Sequence, residues 1–393
     1  MRRYRIAAGP FALGLALALA GCMSSVGPRS EATLPPAPDA GAAPAGSTLG
    51  TGPVKVALVA PITQNGNPSV VGASLRNASE LAIEEAGAND ITVLVKDDNS
   101  TVEGARTATQ AAISEGAELI IGPLFAQNVR EAGRVARAAG NPVIAFSTDS
   151  AVAARGIYLL SFLVESYVDR IIEFAGSRGK RSVAALVPEN DYGNVALGEL
   201  QTAAARAGMR VMTIERYKPG AAQAAAQRIA GLGDQIDSLF IPEQAEGMAA
   251  VGKQIEAAKI DTKRVQILGT GLWNDTRALS VPALQGAWFS APENGGFNAF
   301  AARYRTKFNS DPTRLATLAY DATTLAIALS RSQGGARFSE SVLTAPAGFN
   351  GADGVFRFRT DGLNERGLSV LQIGNGSTTV ISPAPRTFTG APS

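Results

Sequence analysis

Residues Glu118–Ser150 read ELIIGPLFAQNVREAGRVARAAGNPVIAFSTDS. Two short apolar runs, Leu119–Ile121 and Pro142–Ala145, flank an alanine-rich amphipathic segment that predicts a helix over Gln127–Ala139. A strand–helix–strand unit of this length builds a parallel sheet, whose strands are buried on both faces and therefore consist of continuous apolar residues. The stretch thus predicts an α/β protein.

Polar and small residues follow each of these two strands. Gly122–Asn128 comes after the first strand, and Phe146–Asp149 comes after the second. In open parallel sheets, ligands bind outside the carboxyl ends of the strands, where loops and helix N-termini meet. We therefore expect a binding site at this edge of the sheet.

The alternation of strands and helices continues on both sides of this unit. The other predicted strands are Val54–Ala60, Ile91–Val95, Ile157–Leu160, Val183–Val187, Val211–Ile214, Ser238–Ile241, Val265–Leu268, Ala287–Ser290, Val355–Phe358, Leu368–Ile373 and Thr378–Ile381. Two consecutive series of strand–helix–strand units predict two doubly wound, Rossmann-like lobes. A single closed eight-stranded barrel is the competing α/β interpretation, and the extra strands and hairpin-like terminal strands disfavour it.

Residues 1–21 have the pattern of a secretion signal. Three arginines precede an apolar core, Phe11–Leu19, that is too short to cross a membrane as a helix. The segment ends in Leu19-Ala20-Gly21-Cys22, which resembles the bacterial lipobox. The resemblance implies cleavage before Cys22 and lipidation of its thiol; an ordinary signal peptide followed by an incidental cysteine is the alternative.

Residues 22–52 are rich in Pro, Gly, Ala and Ser and carry no apolar period. Such a segment cannot bury enough apolar surface to offset the entropy of ordering, so it predicts a disordered tether behind the lipid anchor. The folded domain is then expected over residues 53–393. We expect the protein in the cell envelope, on the periplasmic face, anchored to the inner or the outer membrane.

The composition excludes several function classes. The chain has no histidine and one cysteine, which removes Ser-His-Asp and Cys-His catalysis and the usual zinc ligand sets. Without residues 1–21 it has 33 basic and 34 acidic residues, a balance that gives no support for nucleic-acid binding. We predict a non-enzymatic protein with no cofactor and no metal, in which the strand-end pair Asp97 and Asp98 is structural.

Several short motifs, in this order and spacing, resemble a known family. They are Val54–Pro61, Arg76–Glu85, Val95–Asp98, Ile120–Pro123, Asn190–Gly193 and Ala319–Ala322. The chain resembles the type-1 periplasmic solute-binding proteins, in the leucine/isoleucine/valine-binding branch, from about residue 54 to 381. The resemblance implies two lobes joined by three crossovers that close on a small ligand by hinge motion. Lobe 1 is expected at about 54–155 and 290–342, and lobe 2 at about 156–289 and 343–383.

The resemblance also implies where a ligand would bind. Family members that bind amino acids hold the ligand's carboxylate and amine with small hydroxyl residues after two strands of the first lobe. Here Phe125 and Ala126 stand where a serine pair is usual, while Ser147 and Thr148 keep hydroxyl groups. The full set of candidate ligand-binding residues is Gln64, Asn65, Phe125, Gln127, Ser147, Thr148, Asp149, Glu189, Tyr192, Gln244, Thr270 and Trp273. Capping of a helix or turn is the alternative role for the strand-end hydroxyls.

Leu268–Asp275, together with Phe146 and Ser147, carries a narrower resemblance to proteobacterial lipoproteins that activate penicillin-binding proteins. Those proteins have the same fold and act through protein contact. Two functions therefore stay open. One is the receptor of an ABC importer for branched-chain amino acids or amides, with an ABC permease as partner; the other is an activator that contacts a peptidoglycan synthase. Trp273 fits a ligand platform in the first and a surface contact in the second.

Overall fold

The computed structural model describes residues 47–388. The predicted signal peptide, Cys22 and the predicted tether as far as residue 46 lie outside the described residues.

The first lobe is a six-stranded sheet with helices on both faces. In chain order its elements are β1 (Thr48–Leu49), β2 (Val54–Ala60), β3 (Thr63–Gln64), β4 (Asn67–Pro68), α1 (Val70–Glu85), β5 (Ile91–Asp97), α2 (Val102–Ser114), β6 (Leu119–Ile121), α3 (Ala126–Ala138), β7 (Val143–Ala145) and β8 (Ile157–Leu159). The strand order is β1-β5-β2-β6-β7-β8, and every pair is parallel except β1 with β5. The strands predicted from the opening stretch are confirmed, and both are fully buried.

The second lobe repeats this architecture. Its first elements are α4 (Val164–Ser177), β9 (Ser182–Pro188), α5 (Asp191–Arg206), β10 (Arg210–Tyr217), α6 (Gln223–Ala230), β11 (Ser238–Phe240), α7 (Ala245–Ala257), β12 (Gln266–Gly269), α8 (Thr276–Leu279) and β13 (Trp288–Ala291). Every residue of β9 is buried, as expected for a central strand covered by helices on both faces.

The last quarter of the chain serves both lobes. Its elements are α9 (Asn294–Phe308), α10 (Ala316–Ser332), α11 (Glu340–Leu343), β14 (Phe349–Gly351), β15 (Gly354–Phe358), β16 (Asn364–Arg366), β17 (Ser369–Gly374) and β18 (Ser377–Ser382). Helix α10 packs along α1 of the first lobe. Strands β17 and β18 complete the second sheet, whose order is β10-β9-β11-β12-β13-β17-β18.

Three crossovers join the lobes. They are residues 160–163 between β8 and α4, residues 292–293 between β13 and α9, and residues 367–368 between β16 and β17. The predicted fold of two doubly wound lobes is therefore confirmed.

The predicted tether extends too far toward the fold. Its last residues form β1, which pairs antiparallel with β5, and the Gly52 amide donates to the Ile91 carbonyl over 3.0 Å. A polar, glycine-rich composition does not prevent a short segment from pairing with an edge strand through its backbone alone. The folded domain starts by residue 48, not 53.

The lobe boundaries also differ from those expected. Ile157–Leu159 extends the first sheet as β8, so the first crossover comes after it. The small sheet β14–β15–β16 lies with the first lobe, because Phe349, Phe356 and Phe358 pack into that lobe's core. Of the segment expected in lobe 2 after residue 342, only β17 and β18 join the second sheet.

Candidate functional site

The carboxyl edges of the two parallel sheets adjoin each other at the first crossover. The chain leaves the first sheet at the carboxyl end of β8 and enters α4 after four residues. Because α4 precedes the parallel strand β9 and runs back along it, the N-terminus of α4 lies at the carboxyl edge of the second sheet. The turns that follow the strands of both lobes thus form the candidate site.

The turn after β7 holds its polar groups through local hydrogen bonds. Ser147 is buried, and its Oγ accepts from the Asp149 amide over 3.1 Å. The Asp149 carboxylate in turn caps a short 3₁₀ turn by accepting from the Ala151 amide over 3.0 Å. Thr148 is exposed at the tip. Two of these three candidates therefore have a capping role, and Thr148 presents a hydroxyl to solvent.

Apolar side chains are exposed where three first-lobe helices begin at this edge. Phe125 precedes α3 without capping it and is 40% exposed, and Val70 and Val102 open α1 and α2 with large exposed fractions. Gln127, in the first turn of α3, is exposed, and its Oε1 accepts from Arg130 Nη1 over 2.9 Å. This edge therefore combines amide and apolar groups.

Gln64 and Asn65 lie in the small β3–β4 hairpin, both exposed, with Asn65 in the left-handed conformation at φ 50°. The hairpin is tied to the end of β5, because the Thr63 amide and hydroxyl donate to the two oxygens of Asp97 over 3.1 and 2.7 Å. The neighbouring Asp98 is buried and accepts from Asn128 Nδ2 over 2.9 Å. Burial raises the pKa of Asp98, and this hydrogen bond opposes the rise. Both carboxylates thus serve the loop structure.

Two second-lobe candidates meet across the sheet edge. The Tyr192 hydroxyl, in the first turn of α5, donates to Thr270 Oγ1 after β12 over 2.7 Å. Burial raises the pKa of Tyr192; the bond to Thr270 opposes the rise, and nearby Tyr167 and Glu165 add to it. Glu189, just before α5, is exposed. The half-buried tyrosine and the buried threonine form a hydroxyl pair at the second lobe's edge.

Trp273 is neither a ligand platform nor a surface contact, in contrast to both predicted roles. Its side chain is 0% exposed, and its Nε1 donates to the Glu243 carbonyl over 3.0 Å. The buried Glu243 carboxylate is itself satisfied by the Tyr217 hydroxyl at 2.6 Å and by the amide of Gln244 at 2.7 Å. Of this group only the Gln244 side chain is exposed. The indole can be buried in the second lobe's core because its one polar atom, Nε1, is hydrogen-bonded there.

Sequence reasoning missed two residues in the first turn of α4. The Oε2 atom of Glu165 is buried and accepts no hydrogen bond from any residue in the described range 47–388. The Tyr167 ring lies against Gly271, where an added Cβ would come within 2.4 Å of it. Burial raises the pKa of Tyr167 to about 12. An acid and an aromatic residue directly after an apolar crossover were the available sequence signal, and only the fold brings them beside Tyr192.

The sequence as a whole shows to which family the chain belongs. A model of periplasmic binding proteins matches residues 53–378, which span both lobes and all three crossovers. The chain belongs to the periplasmic binding protein family. No protein of curated function is significantly similar to it in sequence.

Solved structures of this family share the fold. A protein from Rhodospirillum rubrum that is described as a branched-chain amino acid ABC transporter has a TM-score of 0.74 and 18% identity, over 84% of this chain and 99% of that one. A solute-binding protein from Rhodopseudomonas palustris, in complex with 3,4-dihydroxybenzoic acid, has a TM-score of 0.59 and 21% identity, over 86% and 98%. A branched-chain amino acid binding protein from Streptococcus pneumoniae, in complex with isoleucine, has a TM-score of 0.57 and 18% identity, over 84% and 99%.

Residues 47–388 contain neither a metal-binding cluster nor a membrane-spanning helix. No group of three or more acidic or cysteine side chains there could hold a metal ion. No helix in this part of the chain is long and apolar enough to span a membrane.

Proposed function

We propose that the chain is the extracytoplasmic receptor of an ABC importer and binds an amino acid or amide between its lobes. The observation that carries the proposal is the family match over residues 53–378, which covers both lobes and their crossovers. Relatives of this fold are described as binding isoleucine in one case and dihydroxybenzoic acid in another. Lipidation at Cys22 and the tether behind it would keep the receptor close to its permease.

The charges at the candidate site favour a ligand that carries an amine. None of the twelve candidate residues named from the sequence is cationic, whereas Asp149 and Glu189 are acidic. Glu165 adds a carboxylate whose buried Oε2 has no donor within residues 47–388. A ligand ammonium or amide N–H group would satisfy this oxygen, whereas a ligand with only a carboxylate would be repelled.

A thermal-shift panel tests the proposal with matched compounds. L-leucine and L-leucinamide carry the amine, isocaproate is leucine without it, and benzoate represents aromatic acids. We expect the two amines to raise the melting temperature and the two acids to leave it unchanged. At a ligand concentration one hundredfold above the dissociation constant, the stabilisation should be about 2.7 kcal/mol. A shift with isocaproate or benzoate alone would contradict the proposed ligand class.

Glu165→Gln supplies the site-specific control. It should weaken binding of the amines by about 1.5–3 kcal/mol, the range of a hydrogen bond to a charged group. Glu173→Gln changes an exposed residue on the same helix and should leave binding unchanged. Equal effects of the two variants would remove Glu165 from the site while leaving the receptor function open.

The same experiments also test the alternative function, that of an activator. Since Trp273 is buried, an activator surface would have to use other groups, such as the exposed Phe125. If no compound of the panel or of a muropeptide set shifts the melting temperature, a pull-down with purified peptidoglycan synthases tests the activator function. If the parent protein captures a synthase and Phe125→Ser does not, the activator function would replace the receptor function.

A further inference from the structure

Two arginines and two phenylalanines contact one another where the lobes are joined. The Phe162 ring centroid lies 4.6 Å from the guanidinium carbon of Arg366 and 4.6 Å from that of Arg314. The Arg314 guanidinium also lies 4.6 Å from the Phe297 ring. We call Phe162, Phe297, Arg314 and Arg366 the hinge cluster.

Members of the hinge cluster lie in or beside all three crossovers. Phe162 is part of the first crossover, residues 160–163. Phe297 lies in the first turn of α9, directly after the second crossover, and Arg366 is the last residue of β16, directly before the third. Arg314 comes from the loop before α10. One set of contacts therefore links four segments of the chain.

Hydrogen bonds fix both guanidinium groups in the cluster. Arg314 donates two bonds to Asp353, from Nη1 over 2.8 Å and from Nη2 over 2.6 Å. Arg366 Nε donates to the Ser161 carbonyl over 2.9 Å, within the first crossover. A guanidinium held in this way cannot follow a ring that moves away from it, so the contacts depend on the geometry of the crossovers.

Within the cluster Arg366 is shielded from water, whereas the Arg314 side chain is 40% exposed. Arg366 is buried, and its Nη1 and Nη2 have no hydrogen-bond partner among residues 47–388. Contacts between a cation and an aromatic face are stronger when the cation is desolvated. Phe162, at 4.6 Å, is the nearer of two rings that Arg366 faces, the other being Phe356 at 5.6 Å, so loss of the Phe162 ring would change the energy of this conformation.

We propose that the hinge cluster sets the balance between the orientations of the two lobes. Any rotation of one lobe relative to the other must be absorbed by backbone torsions in the crossovers. Because cluster members lie in or beside each crossover, such a rotation changes the distances between the rings and the guanidinium groups. The cluster thus stabilises one lobe orientation over the others, with or without a ligand.

Distances between spin labels test the proposal on the ligand-free protein. Labels at Gln127→Cys in the first lobe and Gln244→Cys in the second, both exposed sites, would be introduced with Cys22→Ser so that no other thiol is present. Pulsed electron paramagnetic resonance then gives the distribution of distances between the lobes. We expect Phe162→Leu to change the ratio of populations by about tenfold, or to broaden a single population.

Phe308→Leu is the matched control. Phe308 also contacts a cation, Lys307, and an aromatic ring, that of Tyr304 at 4.7 Å, but all three belong to one helix of the first lobe. Its variant should keep the parental distance distribution. A Phe162→Leu protein that is folded by circular dichroism and has the parental distribution would overturn the proposal.

A second variant covers the case in which Phe162→Leu does not fold. Arg314→Lys keeps the charge but loses the planar group that contacts both rings and binds Asp353 with two bonds. It should change the distance distribution in the same way, and an unchanged distribution would again overturn the proposal. Because no ligand is present, these results are independent of the proposed receptor function.

Discussion

The Tyr192 hydroxyl donates a 2.7 Å hydrogen bond to Thr270 Oγ1, so two turns of the second lobe are joined at its carboxyl edge. Thr270 is fully buried, and its hydroxyl oxygen would lose its donor in Tyr192→Phe. We expect Tyr192→Phe and Thr270→Val each to lower the free energy of unfolding by about 1 kcal/mol.

Because the two changes remove the same bond, the double variant should be less destabilised than the sum of the single variants. Urea unfolding of the four proteins of this cycle measures the coupling energy. Strict additivity would mean that the pair does not interact in solution.

Trp273 provides a prediction that separates a core residue from a surface residue. Its indole is buried in the second lobe, so Trp273→Ala should destabilise the protein by about 3–5 kcal/mol. Trp273→Phe keeps most of the volume and removes the donor to the Glu243 carbonyl, so a loss of about 1–3 kcal/mol is expected. Chemical unfolding of both variants is the measurement. Unchanged stability in Trp273→Ala would restore the interface interpretation.

The fold could be predicted because parallel strands leave a local signal. Segments such as Leu119–Ile121 are buried on both faces, and this burial makes them continuously apolar in the sequence. The same rule predicted a candidate site at the strand ends. Two of its predicted residues, Tyr192 and Thr270, are 78 residues apart and directly hydrogen-bonded.

The missed features depend on contacts that no local pattern contains. Arg314 and Asp353 are 39 residues apart, and Ser161 and Arg366 are separated by 205 residues. Such pairs form only when the fold brings distant segments of the chain together. For Trp273, the residues around it fit an exposed loop as well as a core position, and only packing decides between them.

The ion pair between Arg314 and Asp353 should be important for stability because the Asp353 side chain is fully buried. Arg314→Ala leaves that carboxylate without its counter-charge, and we expect a loss of about 3–5 kcal/mol. Arg359→Ala breaks an exposed pair with Asp361 and should cost less than about 1 kcal/mol. Urea unfolding at neutral pH compares the two. Similar small losses would show that water reaches Asp353.

The predicted lipobox leads to a prediction about location. Cys22→Ser should move the protein from the membrane fraction to the soluble periplasmic fraction, because no acyl chain can be attached. Its melting temperature should stay the same, since Cys22 lies in the predicted tether, ahead of the first described strand, Thr48–Leu49. Ser24→Ala is a neighbouring control that should stay with the membrane. Retention of Cys22→Ser in the membrane fraction would contradict lipidation.

Asp321 on α10 should give stability a pH dependence of defined sign. One of its oxygens accepts from the Ala352 amide over 2.7 Å, whereas the other is buried with no partner within residues 47–388. Burial raises the pKa of Asp321 to about 7, although the charge of Arg366 and the hydrogen bond from the Ala352 amide oppose this rise. Two weaker influences are the charge of Asp353, which raises the pKa, and that of Arg314, which lowers it.

Between pH 3.8, the ordinary pKa of an aspartate, and about pH 7, the Asp321 carboxyl is protonated in the folded protein and ionised in the unfolded chain. The contribution of Asp321 to stability therefore falls as the pH rises through this window and is constant above it. Asp321→Asn keeps an acceptor for Ala352 and cannot ionise, so its stability relative to the parent should increase from pH 4 to pH 7. Urea unfolding of both proteins at several pH values gives this difference directly. A difference that stays constant across the window would mean that Asp321 is ionised at both ends of it.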